Sequence, residues 1–153
     1  DRVGRVVMLS PPNKGSEIPD TLRSLKPYQW AMGPVGLRLG TGTNDLPQQL
    51  GPVHFDVGVI TGDRTLNPLY SAWVKGVDDG KVSVASTRVD GMQDHLTLPV
   101  THTFIMRAPS VILQVKLFLK YGHFDEDQDW TRSFSSRELA CVIGLCPEPN
   151  DED

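Results

Sequence analysis

Cysteine is scarce in this sequence. The only two, Cys141 and Cys146, stand near the end of a 153-residue chain. Everything before them is therefore without a disulfide, a thiol nucleophile or a cysteine-based zinc site. A bridge between the two would close a very short loop and add little stability, and one pair assigns no compartment. Aromatic residues are few, and Trp30, Trp73 and Trp130 are too scattered to make a stacking platform for bases. No window approaches the roughly 18 consecutive apolar residues of a transmembrane helix. Positive charge is not in excess: the formal net charge is −4, which argues against nucleic acid or an anionic membrane surface as partner. A phosphate-cradling loop is missing too, because Gly40-Thr-Gly-Thr43 has neither the lysine nor the following helix. His95, His102, Asp94 and the tail cysteines lack any recognised metal-ligand spacing. We expect no cofactor and no metal. The chain opens at Asp1 without Met, a basic segment or an apolar signal core, then runs at once into Val6-Val7-Met8-Leu9. We read it as cut from something longer, as a soluble chain of unassigned compartment.

What is present is an ordinary apolar content for a globular domain, 39%, and an uneven distribution of charge. Residues 1–123 hold 13 Lys/Arg against 10 Asp/Glu, whereas residues 124–153 hold 2 against 9. That change of sign divides the chain into a folded body, 1–123, and an acidic tail, 124–153. Within the tail, 125–129 and 147–153 read as disordered, and 137–145 has enough apolar residues for a short helix or strand.

Hydrophobic patterning gives the order of elements in the body. Residues 5–9 read as a short buried strand of a parallel sheet, ended by the turn formers Ser10-Pro-Pro-Asn-Lys-Gly-Ser16. Ser16 is placed to cap a helix to about residue 26. From Tyr28 to Pro52 a broken helix passes into a Gly-rich loop, whose apolar residues pack the core or line a pocket. Val53–Thr61 reads as the next strand, residues 66–76 as a short helix or structured loop, and Asp78-Asp79-Gly80 as a turn. Lys81–Thr87 reads as an extended segment entering a helical turn. Asp94–Thr101 is a strand with Pro99 at its end. A last helix follows, capped by Ser110 and ended by Gly122, with Val111, Val115, Phe118 and Leu119 facing in and Gln114, Lys116 and Lys120 facing out. Alternating strands and helices predict an α/β fold with short parallel strands and flanking helices. Three strands make a poor sheet alone, so we expect it to be incomplete, with exposed edges open to homo-oligomerisation.

Functional groups in open α/β sheets sit on loops after the carboxyl ends of strands. Ser10–Ser16, Asp63, Asp79 and His102 occupy such positions. A histidine there acts as a general base when a carboxylate holds its other ring nitrogen. Asp79 and His102, with one strand between them, are the acid and histidine to pair. The bland readings are that Asp79-Gly80 is simply a turn and that a lone loop histidine merely packs. Asp63 is the rival acid, and Asp78 reads as a solvated neighbour. His54, His95 and His123 read as surface or packing residues.

Three segments carry a resemblance to a known family. Arg5-Val-Val-Met-Leu-Ser-Pro-Pro-Asn-Lys-Gly-Ser16 resembles the strand and loop that follow the nucleophile-bearing helix in bacterial lipases and related α/β-hydrolases. Asp79-Gly-Lys-Val-Ser-Val-Ala-Ser-Thr87 resembles their acid segment, and Val100-Thr-His102-Thr-Phe-Ile-Met106 their histidine turn. The likeness covers about residues 2–123, in the family's acid-then-histidine order. It implies the C-terminal portion of an α/β-hydrolase sheet, hydrolysis of small-molecule or lipid carboxylic esters through an acyl-enzyme, His102 as general base and acid, and Asp79 as its orienting partner. The departure is the nucleophile. No G-x-S-x-G occurs in these 153 residues; Ser16, Ser83 and Ser86 are not in that setting, and the oxyanion donors that go with it are missing. The alternative function is a non-catalytic interaction or structural module derived from the same fold.

Overall fold

The computed structural model describes residues 3–66 and 71–127. Three strands, β1 (Val6–Leu9), β2 (Val57–Gly62) and β3 (Asp94–Leu98), form one sheet in the order β1-β2-β3, with both pairings parallel. Parallel neighbours need crossover connections. The first crossover carries α1 (Glu17–Leu22), α2 (Lys26–Gly36) and a 3-10 turn at Leu46–Gln49, and the second a 3-10 turn at Val84–Thr87. After β3 come a 3-10 turn at Ile105–Arg107 and α3 (Pro109–Tyr121). This is the α/β arrangement that the patterning predicts.

Every residue of β2 is buried, so both of its faces are covered. One face joins Ile60 to Leu96, Ile105, Val111, Phe118 and Phe124, with Val7, Leu9 and Leu98 against them. The other joins Val57 and Val59 to Val89, with Val6, Met8, Val53 and Met92. The registers Val6↔Val57 and Met8↔Val59 put these residues on a common face, as a period of two requires. Gly58 leaves space for aromatic packing: a Cβ there would stand 2.6 Å from the Phe118 ring and 2.7 Å from that of Phe124. Those two rings meet at a centroid distance of 5.0 Å, inside the favourable range for aromatic pairs.

Several boundaries differ from expectation. The second strand starts at Val57 rather than Val53, because the Val53 amide bonds Asp90 instead of a strand neighbour. β3 stops at Leu98, one residue before Pro99. Ser16 does cap α1, accepting the Ile18 amide at 3.3 Å, but the helix ends at Leu22. Ser110 is not a cap: α3 starts one residue earlier at Pro109, whose fixed φ suits the first helical position, with Ala108 as N-cap. On α3, Gln114 and Leu119 exchange the roles expected of them. Gln114 is 4% exposed and brackets Asp125, accepting its amide at 2.9 Å and donating to its carbonyl, while Leu119 faces out. A polar residue can face in because a backbone segment supplies both of its partners. The folded body accordingly reaches at least Asp125, with Phe124 in the core. Arg5 donates to the Leu119 and Lys120 carbonyls at 3.1 and 2.9 Å, tying the start of β1 to the end of α3.

The broken helix of the first crossover is α2, interrupted by Gly33 at φ 64° before Pro34. No residue of α2 is buried, and Trp30 is 91% exposed. Readings that fall on 67–70 and 128–153 lie outside the described residues. They include part of the 66–76 helix, residues 128–129 and 147–153 of the stretches read as disordered, the 137–145 segment, Trp130 and both cysteines; Asp125 and Asp127, read as disordered, are hydrogen-bonded. Among the described residues, no helix is long and apolar enough to cross a membrane.

The aromatic packing yields a stability prediction. Phe118→Ala removes a side chain with no exposed surface from the larger cluster and is expected to cost about 3–5 kcal/mol. Urea denaturation measures it, and a loss below about 1 kcal/mol would show that this ring does not organise the core.

Candidate active site

Both crossover regions and the segment after β3 deliver loops to the carboxyl end of the sheet. The first loop, Ser10–Ser16, acts as a cradle for the second. Ser16 donates its hydroxyl to the Lys81 carbonyl at 2.8 Å, the Lys14 amide bonds the Ser86 carbonyl at 3.0 Å, and the Asn13 side chain reaches the Thr87 carbonyl at 3.4 Å. Two of the three segments singled out in the sequence are thus joined through their backbones.

Asp79 sits in the cradled segment and is 1% exposed. Its Oδ1 accepts the Lys81 and Val82 amides at 3.0 and 2.9 Å, closing an Asx-type turn. Its Oδ2 lies 2.7 Å from His102 Nδ1. The backbones are tied as well, with the His102 amide donating to the Asp79 carbonyl at 2.9 Å. Burial works to push the Asp79 carboxyl up. The hydrogen bonds from His102 and from the Val82 amide, with the influence of the Ser10 hydroxyl, outweigh it and hold the carboxyl below the usual carboxylate range. The His102 side chain is 28% exposed, and among the described residues nothing hydrogen-bonds its Nε2.

Gly62, the last residue of β2, sets how closely the two loops approach. A Cβ there would stand 2.2 Å from the Val100 carbonyl oxygen and 3.0 Å from Asp79 Cβ. Only a residue without a side chain allows the Asp79 turn and the chain leading to His102 to converge on the strand end. This position was not singled out from sequence, and Ser10 only as the first residue of the Ser10–Ser16 loop. A glycine at a strand end is a weak signal by itself.

The other candidates fall elsewhere. Asp63, the rival acid, lies 3.5 Å from Arg64 rather than against His102. Asp78 is not solvated: it is buried, and it accepts the Gly80 amide at 2.7 Å and the Ser71 hydroxyl. His95 Nε2 lies 3.0 Å from the Thr87 hydroxyl, and desolvation together with the nearby Arg88 pushes its pKa down. The Asp94 carboxylate takes the His95 and Phe124 amides, both at 2.8 Å. Among the described residues no group of three His, Cys, Asp or Glu is arranged to hold a metal ion. Of the serines weighed as nucleophiles, Ser16 is bonded to Lys81, and Ser83 and Ser86 to each other at 2.9 Å.

The Asp79 shift fixes a pH dependence. Its folded pKa lies below the unfolded value of about 3.9, so its contribution to stability is complete above that value and is lost as pH falls through the folded pKa. Asp79→Asn should be less stable than wild type near pH 6, and the difference should close towards pH 2. Urea midpoints across that range measure it; a difference independent of pH would show that the carboxylate is not held charged.

No protein-family model matches the chain, and no curated protein matches its sequence. Solved structures do resemble it. The lipase BlEst2 of Bacillus licheniformis, in its propeptide form, superposes with a TM-score of 0.58 at 16% identity over 83% of this chain and 31% of that one. The mature form of the same lipase gives 0.52 at 17% identity, over 78% of this chain and 55% of that one. The chain therefore spans about a third of the length of the first and about half of the second. At such identity the likeness is one of fold: the three parallel strands and flanking helices follow a lipase-like α/β arrangement.

Proposed function

We propose that this chain carries the acid and the general base of a serine esterase or lipase, as the C-terminal part of an α/β-hydrolase whose nucleophile lies in a preceding segment. Residues 1–123 are its hydrolase portion, with Phe124 and Asp125 packed back onto it, and the remainder to 153 is an acidic tail. The observation that carries this reading is the 2.7 Å contact between buried Asp79 and partly exposed His102, on loops after two parallel strands of a lipase-like fold.

The mechanism follows from that geometry. Asp79, held ionised, fixes the proton of His102 on Nδ1 and leaves Nε2 as the base. Nε2 takes the proton of a serine hydroxyl as its oxygen attacks the ester carbonyl carbon. The C–O bond to the alcohol then breaks, and the same proton passes from Nε2 to the departing alkoxide. Water repeats the sequence on the acyl-enzyme: His102 accepts its proton, the acid is released, and the proton returns to the serine. Asp79 stabilises the imidazolium in each half without being protonated.

The missing elbow supports a second reading for these 153 residues taken alone, a non-catalytic module kept for interaction or structure. The bonded state of Ser16, Ser83 and Ser86 points the same way. The test begins with the coding sequence before Asp1, where a G-x-S-x-G within about 30–60 residues is expected from strand–elbow–helix spacing. The full chain should then hydrolyse a short-chain nitrophenyl ester, with Asp79→Asn lowering kcat by on the order of 10⁴ and His102→Ala by at least as much. The 153-residue chain should be inactive. An elbow-containing full chain that keeps its rate with His102→Ala would sink the hydrolase reading, as would saturable, His102-dependent hydrolysis by the 153 residues the claim that the nucleophile lies outside them.

A further inference from the structure

On the face of the sheet that carries Val57 and Val59 lies a cavity of about 590 Å³. That is within the roughly 300–1,000 Å³ of sites that hold small molecules. Met8, Val53 and Val89, all members of the hydrophobic cluster on that face, form an apolar floor. Pro47 and Leu50, from the first crossover, add an apolar side. Val89 and Pro47 are buried while Leu50 is 64% exposed, so the apolar lining runs from the core out to solvent.

Two cations share one wall. The Lys14 amide bonds the Ser86 carbonyl, and the Asn13 side chain reaches the Thr87 carbonyl. Residues 13–14 and 86–88 therefore run side by side, and Asn13, Lys14 and Arg88 all line the cavity. Gln48 donates its side chain to the Lys14 carbonyl at 3.1 Å, joining the Pro47–Leu50 side to this wall. The Asn13 and Gln48 amides are thus engaged with backbone. Among the described residues, neither the Lys14 ammonium nor the Arg88 guanidinium has a hydrogen bond or an ion pair. Asp90 belongs to the Val53 side, its carbonyl bonded to the Val53 amide, and its carboxylate pairs with neither cation. The lining carries two positive charges against one negative.

We propose that this cavity binds a small carboxylic acid in its anionic form, with its apolar body on Met8, Val53 and Val89 and its carboxylate between Lys14 and Arg88. The apolar floor selects a ligand with a hydrocarbon part. A planar guanidinium beside an ammonium suits a carboxylate head. A net lining charge of +1 matches a singly charged head, whereas a doubly charged phosphate monoester would meet added repulsion from Asp90. Both cations are exposed, so each contributes modestly to affinity, and the apolar contact supplies the rest. Neither Asp79 nor His102 lines the cavity, so the proposal stands apart from the hydrolase reading and does not fall with it.

The probe is hexanoate, titrated at neutral pH into the nitrogen-15-labelled 153-residue chain. Saturable shifts are expected at the amides of Asn13, Lys14, Arg88 and Val89. Hexanol lacks the charge and acetate the apolar body, and each should bind about fivefold more weakly or worse. Lys14→Gln and Arg88→Gln should each weaken hexanoate binding about two- to fivefold, and Asp90→Asn should strengthen it about twofold. Because neither cation has a described partner, both Gln variants should keep the wild-type urea midpoint, which separates lost binding from lost fold. His102→Ala should leave hexanoate binding unchanged. Equal affinity for hexanol and hexanoate, or undiminished binding in the Lys14→Gln/Arg88→Gln double variant, would overturn the proposal. So would the same shifts on raising the protein concentration alone, which would make a second copy the occupant. Loss of hexanoate binding once residues preceding Asp1 are present would overturn it too, by giving the cavity to that segment.

Discussion

A strand whose residues are all buried must be paired at both edges and covered on both faces. β2 meets that constraint with parallel neighbours on either side. Because both pairings are parallel, the carboxyl ends of β1, β2 and β3 lie along one edge of the sheet, and three separate loops start there. Ser10 begins the first and Gly62 ends the central strand; the chain after β3 reaches His102 within four residues of Leu98. The site is a consequence of that alignment. Gly62 then decides how near the loops come, since a side chain there would occupy the volume of the Val100 carbonyl and press on Asp79.

A buried carboxylate is costly, on the order of several kcal/mol without compensation. The fold offsets the cost with the His102 ring and with backbone amides. Lys81 and Val82 amides satisfy Oδ1, and the turn that presents them is itself pinned by Ser16 to the loop after β1. Asp78 does similar work one residue earlier, holding Gly80 and Ser71. These are local bonds within a few residues, made whatever else is bound. The long-range partner of the carboxylate is His102, 23 residues away, and its position depends on the strand ends meeting as described.

The hydrophobic patterns made the three strands, their order and α3 legible, because strand and helix periods are properties of local sequence. Boundaries were less so. Val53 is as apolar as Val57, yet its amide bonds Asp90 rather than a strand neighbour. Gln114 reads as a surface residue on α3 until Asp125 folds back onto it. The apolar residues of α2 read as core packing or pocket lining, yet Trp30 is 91% exposed. At the site, Asp79 and His102 could be named from residue type, loop position and their resemblance to a family. Ser10, Gly62 and the bonding of Asp78 could not. Ser10 and Gly62 meet across 52 residues, Gly62 matters through its close approach to Val100 and Asp79, and the bonds of Asp78, though local, depend on a turn geometry that residue type alone does not give.

Among the described residues, the Asp79–His102 pair is organised without a hydrogen bond to the far side of the ring. Oδ1 is held by its own turn, and the two backbones are bonded directly through the His102 amide and the Asp79 carbonyl. His102 is thus fixed from the Nδ1 side and by its backbone, which leaves Nε2 directed away from Asp79 by the geometry of the ring. In the proposed role of general base, His102 would need little rearrangement when a hydroxyl is brought to it, because most of the cost of ordering it is met as the chain folds. The same feature explains how 153 residues with no elbow serine can keep the pair intact. Its stability comes from the sheet edge and the turn, so the arrangement persists independently of the nucleophile it would serve.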